Sequence, residues 1–333
     1  MVKIAFIVIF LFFAEYIYLR IARFYKIKDD PNHRSAHSSP TLRGGGIIFI
    51  PAILLFIIFF PNESSNYHYI IASILLVAII SFIDDLVSLS TSKRMIIHFI
   101  AFTLIFYDLH FFNNLSLLTI CFITLCYLFS LGFLNIYNFM DGINGMTFLN
   151  ALVTFSTFLI INRYVIEFTD SNLLLILISS TLVFGFYNFR LKPKCFAGDV
   201  GSITIGFAII YLIIKLFLES NSFIIFLMLG VYLLDGGWTI IERVIRKENV
   251  LKAHRRHMYQ LFANDLKMNH LKISTGYFMV QTCLNILVVY SIISNPFNDF
   301  FILLSIMSLM TIVYFLVKIK VYKKIGSTEH NEK

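Results

Sequence analysis

The feature that most constrains this chain is a long series of apolar segments separated by short polar breaks. A helix crosses the hydrocarbon core of a bilayer with about 20 apolar residues. The apolar runs show no alternation of polar residues, so helices are predicted rather than a barrel, because a helix satisfies its backbone hydrogen bonds alone in lipid. Apolar windows predict eleven spans, at 3–22, 45–61, 67–83, 95–111, 115–137, 146–162, 172–189, 201–218, 222–241, 276–294 and 299–317.

Composition agrees with this interpretation and excludes several classes of protein. Hydrophobic residues make up 58% of the chain and charged residues only 14%. A soluble enzyme, a disordered chain and a fibrous repeat are excluded by these values. The predicted fold class is all-α, a polytopic transmembrane helical bundle with about eleven membrane helices, or ten.

The positive charges predict the orientation of the bundle. Of 27 Lys and Arg residues, only Lys3, Arg163 and Lys215 fall outside one alternating set of connections. By the positive-inside rule that set is cytoplasmic, which places the N-terminus outside and the C-terminal tail inside. The net charge of +8 then reflects topology and anionic lipid. The expected partner is the bilayer, and no nucleic acid is expected.

A single domain is predicted. No polar connection exceeds about 33 residues and no internal repeat is visible. We therefore expect one integral-membrane domain over 1–320 and a short basic, polar cytoplasmic tail over 321–333. The four cysteines lack metal-binding spacing and are interpreted as small core residues.

Rare polar residues collect at the predicted cytoplasmic ends of the spans. Membrane-associated ionisable residues are expensive and are functional by default. The observation therefore predicts a polar cleft at the cytoplasmic interface. Five segments contribute to it, at 29–37, 84–85, 135–145, 196–202 and 254–257.

The end of the fifth span carries Asn135, Asn138, Asp141 and Asn144 at intervals of three residues. This spacing drifts around a helix, so a helix that ends near Asn138 is expected, followed by a turn that directs oxygen atoms into the cleft. Helix capping is the simpler alternative, because Asn and Gly are common at helix ends. Four polar groups exceed what a cap requires.

Two further acidic motifs lie nearby in the predicted topology. Asp84 and Asp85 are adjacent, so on a helix their side chains point about 100° apart and two different roles are expected. The alternative is an interfacial pair exposed to water. Asp199 lies between Gly198 and Gly201 before a helix. An N-cap would explain it, and a phosphate or Mg²⁺ site at that N-terminus would explain it equally well.

The segment His254-Arg255-Arg256-His257 places two histidines three residues apart with arginines between them. A basic run of this kind is often a solvated strip. It could also bind a diphosphate, the arginines by bidentate contacts and the histidines by changing charge. Spacing alone leaves both interpretations open.

Together these motifs resemble the polyprenyl-phosphate N-acetylhexosamine-1-phosphate transferase superfamily, glycosyltransferase family 4. The resemblance covers nearly the whole chain. Within this superfamily, the chain is more similar to the branch of undecaprenyl-phosphate transferases that initiate O-antigen or other surface polysaccharides. It rests on the stretches DDPNHRSAHSSPTLRGGG (29–46), IDDLVSLSTSKR (83–94), NIYNFMDGINGM (135–146), FAGDVGS (196–202) and LLDGGWTIIERVIRKENVLKAHRRHMYQ (233–260).

The resemblance implies transfer of an N-acetylhexosamine-1-phosphate from a UDP-sugar to undecaprenyl phosphate, with release of UMP, at the cytoplasmic face of the bacterial inner membrane. It implies Mg²⁺ as the cofactor, with Mn²⁺ as a substitute ion. A homodimer is left open. Of the site residues, it implies that the metal is held by Asp199 and Asn138.

The remaining implied residues divide into catalytic and substrate-binding positions. The resemblance implies that one of the adjacent acids deprotonates or orients the polyprenyl phosphate, and that the histidine loop engages the diphosphate. The catalytic positions are Asp84, Asp85, Asp141, His254 and His257. The substrate-binding positions are Lys93, Arg94, Asn135, Asn144, Arg255 and Arg256.

Alternatives remain at this stage. The loop AHRRHMYQ differs from the three consecutive histidines of the phospho-N-acetylmuramoyl-pentapeptide transferase branch, which is the rival within the class. A secondary transporter would need ionisable groups at mid-membrane. Glu15, Lys215 and Asp235 have some depth, but each is predicted near a span end or able to snorkel. An inactive scaffold is a third alternative.

Overall fold

A computed structural model of the protein describes residues 2–31, 36, 39–249, 255–294 and 298–331. The described chain is almost entirely helical, which confirms the predicted all-α bundle. The helices are α1 (Val2–Phe24), α2 (Phe49–Phe59), α3 (Pro61–Ser64), α4 (His68–Val87), α5 (Thr91–Asp108), α6 (Leu117–Met140), α7 (Met146–Tyr164), α8 (Ser171–Asn188), α9 (Gly198–Ser220), α10 (Gly230–Tyr232), α11 (Trp238–Ile245), α12 (Met258–Gln260), α13 (His270–Ser294) and α14 (Asp299–Asn331).

Short irregular elements join these helices. Two-residue strands, β1 (Lys28–Asp29) and β2 (Thr41–Leu42), pair antiparallel on the loop after α1. Three 3₁₀ segments lie at Gly45–Ile48, Ser65–Tyr67 and Phe223–Leu229. Two π-helical turns lie at Leu233–Gly237 and Leu261–Asp265.

Each of the eleven predicted spans falls on a helical segment of the described chain. By length and composition, nine helical segments of that part are long and apolar enough to cross a membrane. The other two predicted spans correspond to the shorter apolar helix Gly45–Phe59 and to α5.

Helix α9 forms the centre of the bundle. Its residues from Val200 to Ile214 are buried or nearly so, and it packs against α4, α6 and α7. By contrast, α1 and α14 expose many large apolar side chains at the periphery. Because exposed apolar surface is favourable only against lipid, this distribution fits a bundle whose outer helices face acyl chains.

Glu15 and Asp235 do not snorkel to the surface of the bundle, while their predicted positions near span ends stay predictions. Glu15 is fully buried in α1, and Asp235 is 2% exposed within the helical segment Phe223–Ile245. Neither side chain reaches solvent, because neighbouring helices cover both. Lys215 is partly buried, and its ammonium group lies 4.7 Å from the ring centre of Tyr67.

Candidate active site

Three helix ends meet at one end of the bundle and bring acidic residues together. Helix α4 ends shortly after Asp84 and Asp85, α5 begins just before Arg94, and α9 begins just before Asp199. The packing of α4 against both α5 and α9 places these ends side by side. The predicted convergence of Asp84, Asp85, Arg94 and Asp199 is therefore seen in the structure.

Arg94 joins two of the acids. Its Nη1 donates to Asp84 Oδ2 at 2.8 Å and to Asp199 Oδ2 at 3.1 Å. Its Nε is buried and has no hydrogen-bond partner among the described residues. An unpaired buried guanidinium nitrogen is costly unless an acceptor binds there. The arginine therefore has a free donor inside an acidic cleft.

Asp85 caps the N-terminus of α9. Its Oδ1 accepts from the backbone N–H of Asp199 at 2.9 Å, and its Oδ2 accepts from that of Val200 at 3.0 Å. Gly198 permits this contact, since its φ is 72° and a Cβ there would collide with Asp85 Oδ2. Asp84 instead contacts Arg94 and the Leu89 N–H. The two adjacent acids thus have different partners, as predicted from their directions on a helix.

Arg43 completes the cluster, and sequence reasoning did not select it. Its Nε lies 2.6 Å from Asp85 Oδ1, and its Nη2 donates to Asp199 Oδ1 at 3.0 Å. Burial opposes the charge of the guanidinium, but the carboxylates of Asp85 and Asp199 outweigh it and raise the pKa of Arg43. The sequence signal that could have indicated Arg43 is its position directly before three glycines in the stretch TLRGGG.

The three glycines after Arg43 dock the arginine turn onto the loop before α9. The backbone N–H groups of Gly45 and Gly46 donate to the carbonyls of Phe196 and Ala197, both at 2.9 Å. Gly46 also lies so close to the backbone of Gly201 that no Cβ would fit. Because this approach requires glycine, the local sequence fixes the position of Arg43.

The oxygen atoms in this cluster suit a hard divalent cation. Asn138 Oδ1 accepts from Ser202 Oγ at 2.6 Å, and Ser202 lies on α9 one turn after Asp199. Carboxylate and amide oxygens are the ligands that Mg²⁺ prefers. Among the described residues, no group of three or more His, Cys, Asp or Glu is arranged around a common metal position. The donor set therefore fits Mg²⁺ in chemistry, while guanidinium groups are the present counter-cations of Asp199.

Asp141 lies on the turn after α6, close enough for its charge to interact with those of Asp199 and Asp85. Thr147 Oγ1 donates to its Oδ1 at 2.5 Å. Burial raises the pKa of Asp141 to about 7, the neighbouring acids add to the rise, and the Thr147 hydroxyl opposes it. A carboxyl group with this pKa can bind or release a proton near neutral pH.

Three other predicted substrate-binding residues have contacts directed elsewhere or face outward. The Asn135 amide donates to the Leu131 carbonyl at 2.7 Å. The Asn144 amide donates to the Arg190 carbonyl at 3.0 Å and so ties the loop after α6 to the end of α8. Lys93 is exposed at the start of α5. Of these residues, Asn144 supports the loop beside the cluster, whereas the Asn135 contact lies within α6.

The predicted histidine loop is only partly described, because His254 lies outside the described residues. Arg255 Nη2 lies 3.9 Å from Asp265 Oδ1, and Arg256 Nη2 forms an ion pair with Glu248 Oε1 at 2.8 Å. His257 is buried, and its ring stacks on that of Tyr259. Burial lowers the pKa of His257, although the nearby Asp235 opposes this change. The histidine is therefore held as a packed side chain.

The loop nevertheless adjoins the site through Tyr259. The Tyr259 hydroxyl donates to the Phe139 carbonyl at 2.7 Å, two residues before Asp141. A Cβ at Gly142 would collide with the same hydroxyl. The loop and the end of α6 are thus packed directly together.

A second buried acid, Asp235, organises the far side of this loop. It accepts from the backbone N–H of Met258 at 2.8 Å, and from the hydroxyls of Tyr277 at 2.7 Å and Tyr314 at 3.1 Å. The π-helical turn at Leu233–Gly237 exposes its side chain to these donors. Asp235 therefore connects the turn to α12, α13 and α14.

Comparison with known proteins places this geometry in a family. The model of "Glycosyl transferase family 4" matches residues 67–217. A "probable undecaprenyl-phosphate N-acetylglucosaminyl 1-phosphate transferase" of Bacillus subtilis is 26% identical over 74% of this chain and 73% of that protein. These matches support the resemblance to the polyprenyl-phosphate hexosamine-1-phosphate transferase superfamily.

Other similar proteins are named as phospho-N-acetylmuramoyl-pentapeptide-transferases. A phospho-N-acetylmuramoyl-pentapeptide-transferase of Petrotoga mobilis is 29% identical over 70% of the chain and 79% of that protein. One of Streptococcus agalactiae serotype Ia is 29% identical over 56% of the chain, and the chain spans 65% of its length.

The family match and the curated relatives together confirm the resemblance and indicate a phospho-sugar transferase enzyme. This result favours the enzyme over the transporter and the scaffold. The matched region contains Asp84, Asp85, Arg94, Asp141 and Asp199. Arg43 and the histidine loop lie outside it.

Proposed function

We propose that this enzyme transfers N-acetylhexosamine-1-phosphate from a UDP-sugar to undecaprenyl phosphate, giving undecaprenyl-diphospho-sugar and UMP. The observation that carries the proposal is the cluster in which Arg43 and Arg94 bridge Asp84, Asp85 and Asp199 at one end of a membrane bundle. A family 4 chain with cations and acids at a membrane surface suits one water-soluble and one lipid-bound phosphate substrate.

The reaction brings two anionic phosphates together, so their repulsion must be offset. Arg94 supplies a positive charge on a partly exposed side chain. Asp199 and Asn138 would hold Mg²⁺. When bound, the ion would neutralise charge on the phosphates and on the leaving nucleotide.

Asp85 is best suited to a positioning role, because both its oxygens are occupied by Arg43 and by the start of α9. Asp84 contacts Arg94 directly and so would orient this arginine toward a substrate phosphate. Asp141, whose pKa is raised to about 7 mainly by burial, can exchange a proton with the substrates near neutral pH.

The predicted orientation places this cluster at the cytoplasmic face of a bacterial inner membrane, where nucleotide sugars are made. The product would be the first lipid-linked intermediate of a cell-envelope polysaccharide such as O-antigen. The similarity to the Bacillus subtilis transferase supports N-acetylglucosamine as the first donor to test.

The test is UMP release by the detergent-purified protein with undecaprenyl phosphate and Mg²⁺, across a panel of UDP-N-acetylhexosamines. We expect release with one hexosamine donor that depends on the lipid. It should disappear when EDTA removes the metal and return with Mg²⁺ or Mn²⁺. Lipid-independent release, or release unaffected by EDTA, would contradict the proposal.

The relatives from Petrotoga mobilis and Streptococcus agalactiae favour a second candidate, transfer from UDP-N-acetylmuramoyl-pentapeptide. The same assay separates the two. Release of UMP with the pentapeptide donor alone would assign the enzyme to peptidoglycan synthesis. Release with a hexosamine donor alone would reject that assignment.

A further inference from the structure

Arg43 has a position that the family match does not account for. The arginine lies before residue 67, where the match begins, yet its guanidinium sits inside the acid cluster. Asp199 therefore contacts two guanidinium groups, Arg43 at Oδ1 and Arg94 at Oδ2. Both oxygens of the proposed metal ligand are occupied by internal cations.

The side chain of Arg43 can change its contacts while its backbone stays in place. Nε faces Asp85, whereas Nη2 faces Asp199. The backbone is held independently, because the Tyr18 hydroxyl donates to the Arg43 carbonyl at 2.6 Å. The side chain is 31% exposed, so the guanidinium reaches the cleft. Rotation about the side-chain bonds can therefore move the planar guanidinium as a unit away from Asp199 without moving the turn.

The charges supply a reason for such an exchange. A divalent cation at Asp199 competes with Nη2 for the same carboxylate oxygen. A guanidinium released from a carboxylate is suited to a phosphate, because its planar donors match either group. Both substrates of the proposed reaction carry phosphate.

We propose that Arg43 is a further phosphate-binding residue of this active site, which gives up its contact with Asp199 to a divalent cation and takes a substrate phosphate instead. The inference rests on the proposed function. The phosphate belongs either to the diphosphate of the nucleotide donor or to the monophosphate of the lipid acceptor. Separate binding measurements distinguish these sources.

The first measurement is Mn²⁺ binding to the purified full-length protein without substrates, followed by electron paramagnetic resonance. Arg43→Gln should bind Mn²⁺ about three- to tenfold more tightly than wild type, because a competing cation is removed from Asp199. Arg43→Lys keeps the charge and should bind Mn²⁺ nearly as wild type does.

The second measurement is phosphate binding at saturating Mn²⁺, with UDP and a short-chain polyprenyl phosphate as separate probes. Arg43→Gln should weaken the binding of one probe by about ten- to a hundredfold, as expected for the loss of a charge-assisted hydrogen bond. Weaker UDP binding assigns Arg43 to the donor, and weaker polyprenyl phosphate binding assigns it to the acceptor.

The proposal predicts that Arg43→Gln tightens Mn²⁺ binding and weakens phosphate binding. These opposite changes distinguish a phosphate-binding role of Arg43 from a purely structural one. If Arg43 only supports the turn, Arg43→Gln should weaken Mn²⁺ and phosphate binding together, and this result would overturn the proposal. Unchanged affinities for all three ligands would also overturn it. Arg23→Gln removes an exposed arginine at the end of α1 and should leave all affinities unchanged.

The proposed function can fail separately. If wild type releases UMP but Arg43→Gln changes no affinity, only the role of Arg43 is rejected. If wild type binds no Mn²⁺ and releases no UMP with any donor, both proposals are rejected. Each outcome is read from wild type and one variant in the same detergent.

Discussion

Two groups of buried acids in this protein are stabilised in opposite ways. At the proposed active site, Asp199 is 15% exposed and its partners are the cations Arg43 and Arg94. Deeper in the bundle, the Asp235 side chain is 3% exposed and its hydrogen-bond donors include two tyrosine hydroxyls and a backbone N–H. Asp199 is balanced by the positive charges of partly exposed arginines, and Asp235 by neutral hydrogen-bond donors.

This difference indicates different uses for a carboxylate near or within the membrane. An arginine can leave a carboxylate when a metal or phosphate competes, because both partners regain ionic contacts. Neutral donors that converge on a dry acid gain nothing by separating, since each would become an unsatisfied buried group. The comparison predicts that substitution at Asp199 affects chemistry and that substitution at Asp235 affects folding.

The largest expected effect is that of Asp199→Asn on turnover. The amide removes a charge from the proposed metal ligand and from the partner of two arginines, so UMP release should fall about a thousandfold or more. The apparent melting temperature in detergent should stay close to that of wild type. Glu219→Gln, at an exposed acid near the other end of α9, should keep normal turnover. Wild-type rates in Asp199→Asn would remove this residue from the metal site.

Sequence patterns predicted much of this comparison but not its partners. Apolar run lengths located helical segments at all eleven predicted positions, and nine helical segments of the described chain are long and apolar enough to cross a membrane. The rarity of acids in membranes singled out Asp84, Asp85 and Asp199. Arg43 lies 156 residues from Asp199 in the chain, and only tertiary packing brings them into contact. The local sequence shows a basic residue in a basic loop, which topology already explains.

The depth of Asp235 and His257 was also beyond sequence analysis. In the sequence, Asp235 had some depth but was predicted to lie near a span end or to be able to snorkel. The structure continues the chain through a π-helical turn there. Its donors, Tyr277 and Tyr314, come from two helices later in the chain and have no spacing relation to it.

The next largest effect is predicted for the stability of Asp235→Asn. An amide presents its own N–H groups to donors, so the free energy of unfolding should fall by about 3–5 kcal/mol. The measurement is the apparent melting temperature in detergent, compared with that of Asp199→Asn. Protein that remains folded should keep its KM for the sugar donor within a few-fold. Wild-type stability with lost turnover would reverse the comparison between the two acids.

A smaller effect concerns the pH dependence of stability at Asp141. Its pKa is raised to about 7 in the folded protein, chiefly by burial, from 3.8. The folded state therefore holds this proton more tightly, and the associated stability is present at low pH and is lost as pH rises through 7. Asp141→Asn should remove about 1–3 kcal/mol of that dependence. Melting curves of both proteins between pH 5 and 8 test this, and parallel curves would show that Asp141 does not contribute.

The smallest effects separate the two tyrosines that bind Asp235. Tyr277→Phe and Tyr314→Phe each remove one hydroxyl donor and keep the ring, so each should cost about 1–2 kcal/mol of stability. Tyr277→Phe should lower stability more than Tyr314→Phe, because the Tyr277 hydroxyl lies 2.7 Å from Asp235 and the Tyr314 hydroxyl lies 3.1 Å from it. Tyr314 also has a second partner, since Lys318 Nζ donates to its hydroxyl at 3.3 Å.

In the Asp235→Asn background the tyrosine substitutions should cost less stability than in wild type, as a double-mutant cycle would show. Full additivity would mean that the hydroxyls act independently of Asp235, and the contrast between an exchangeable and a fixed acid would then rest on the backbone contacts alone.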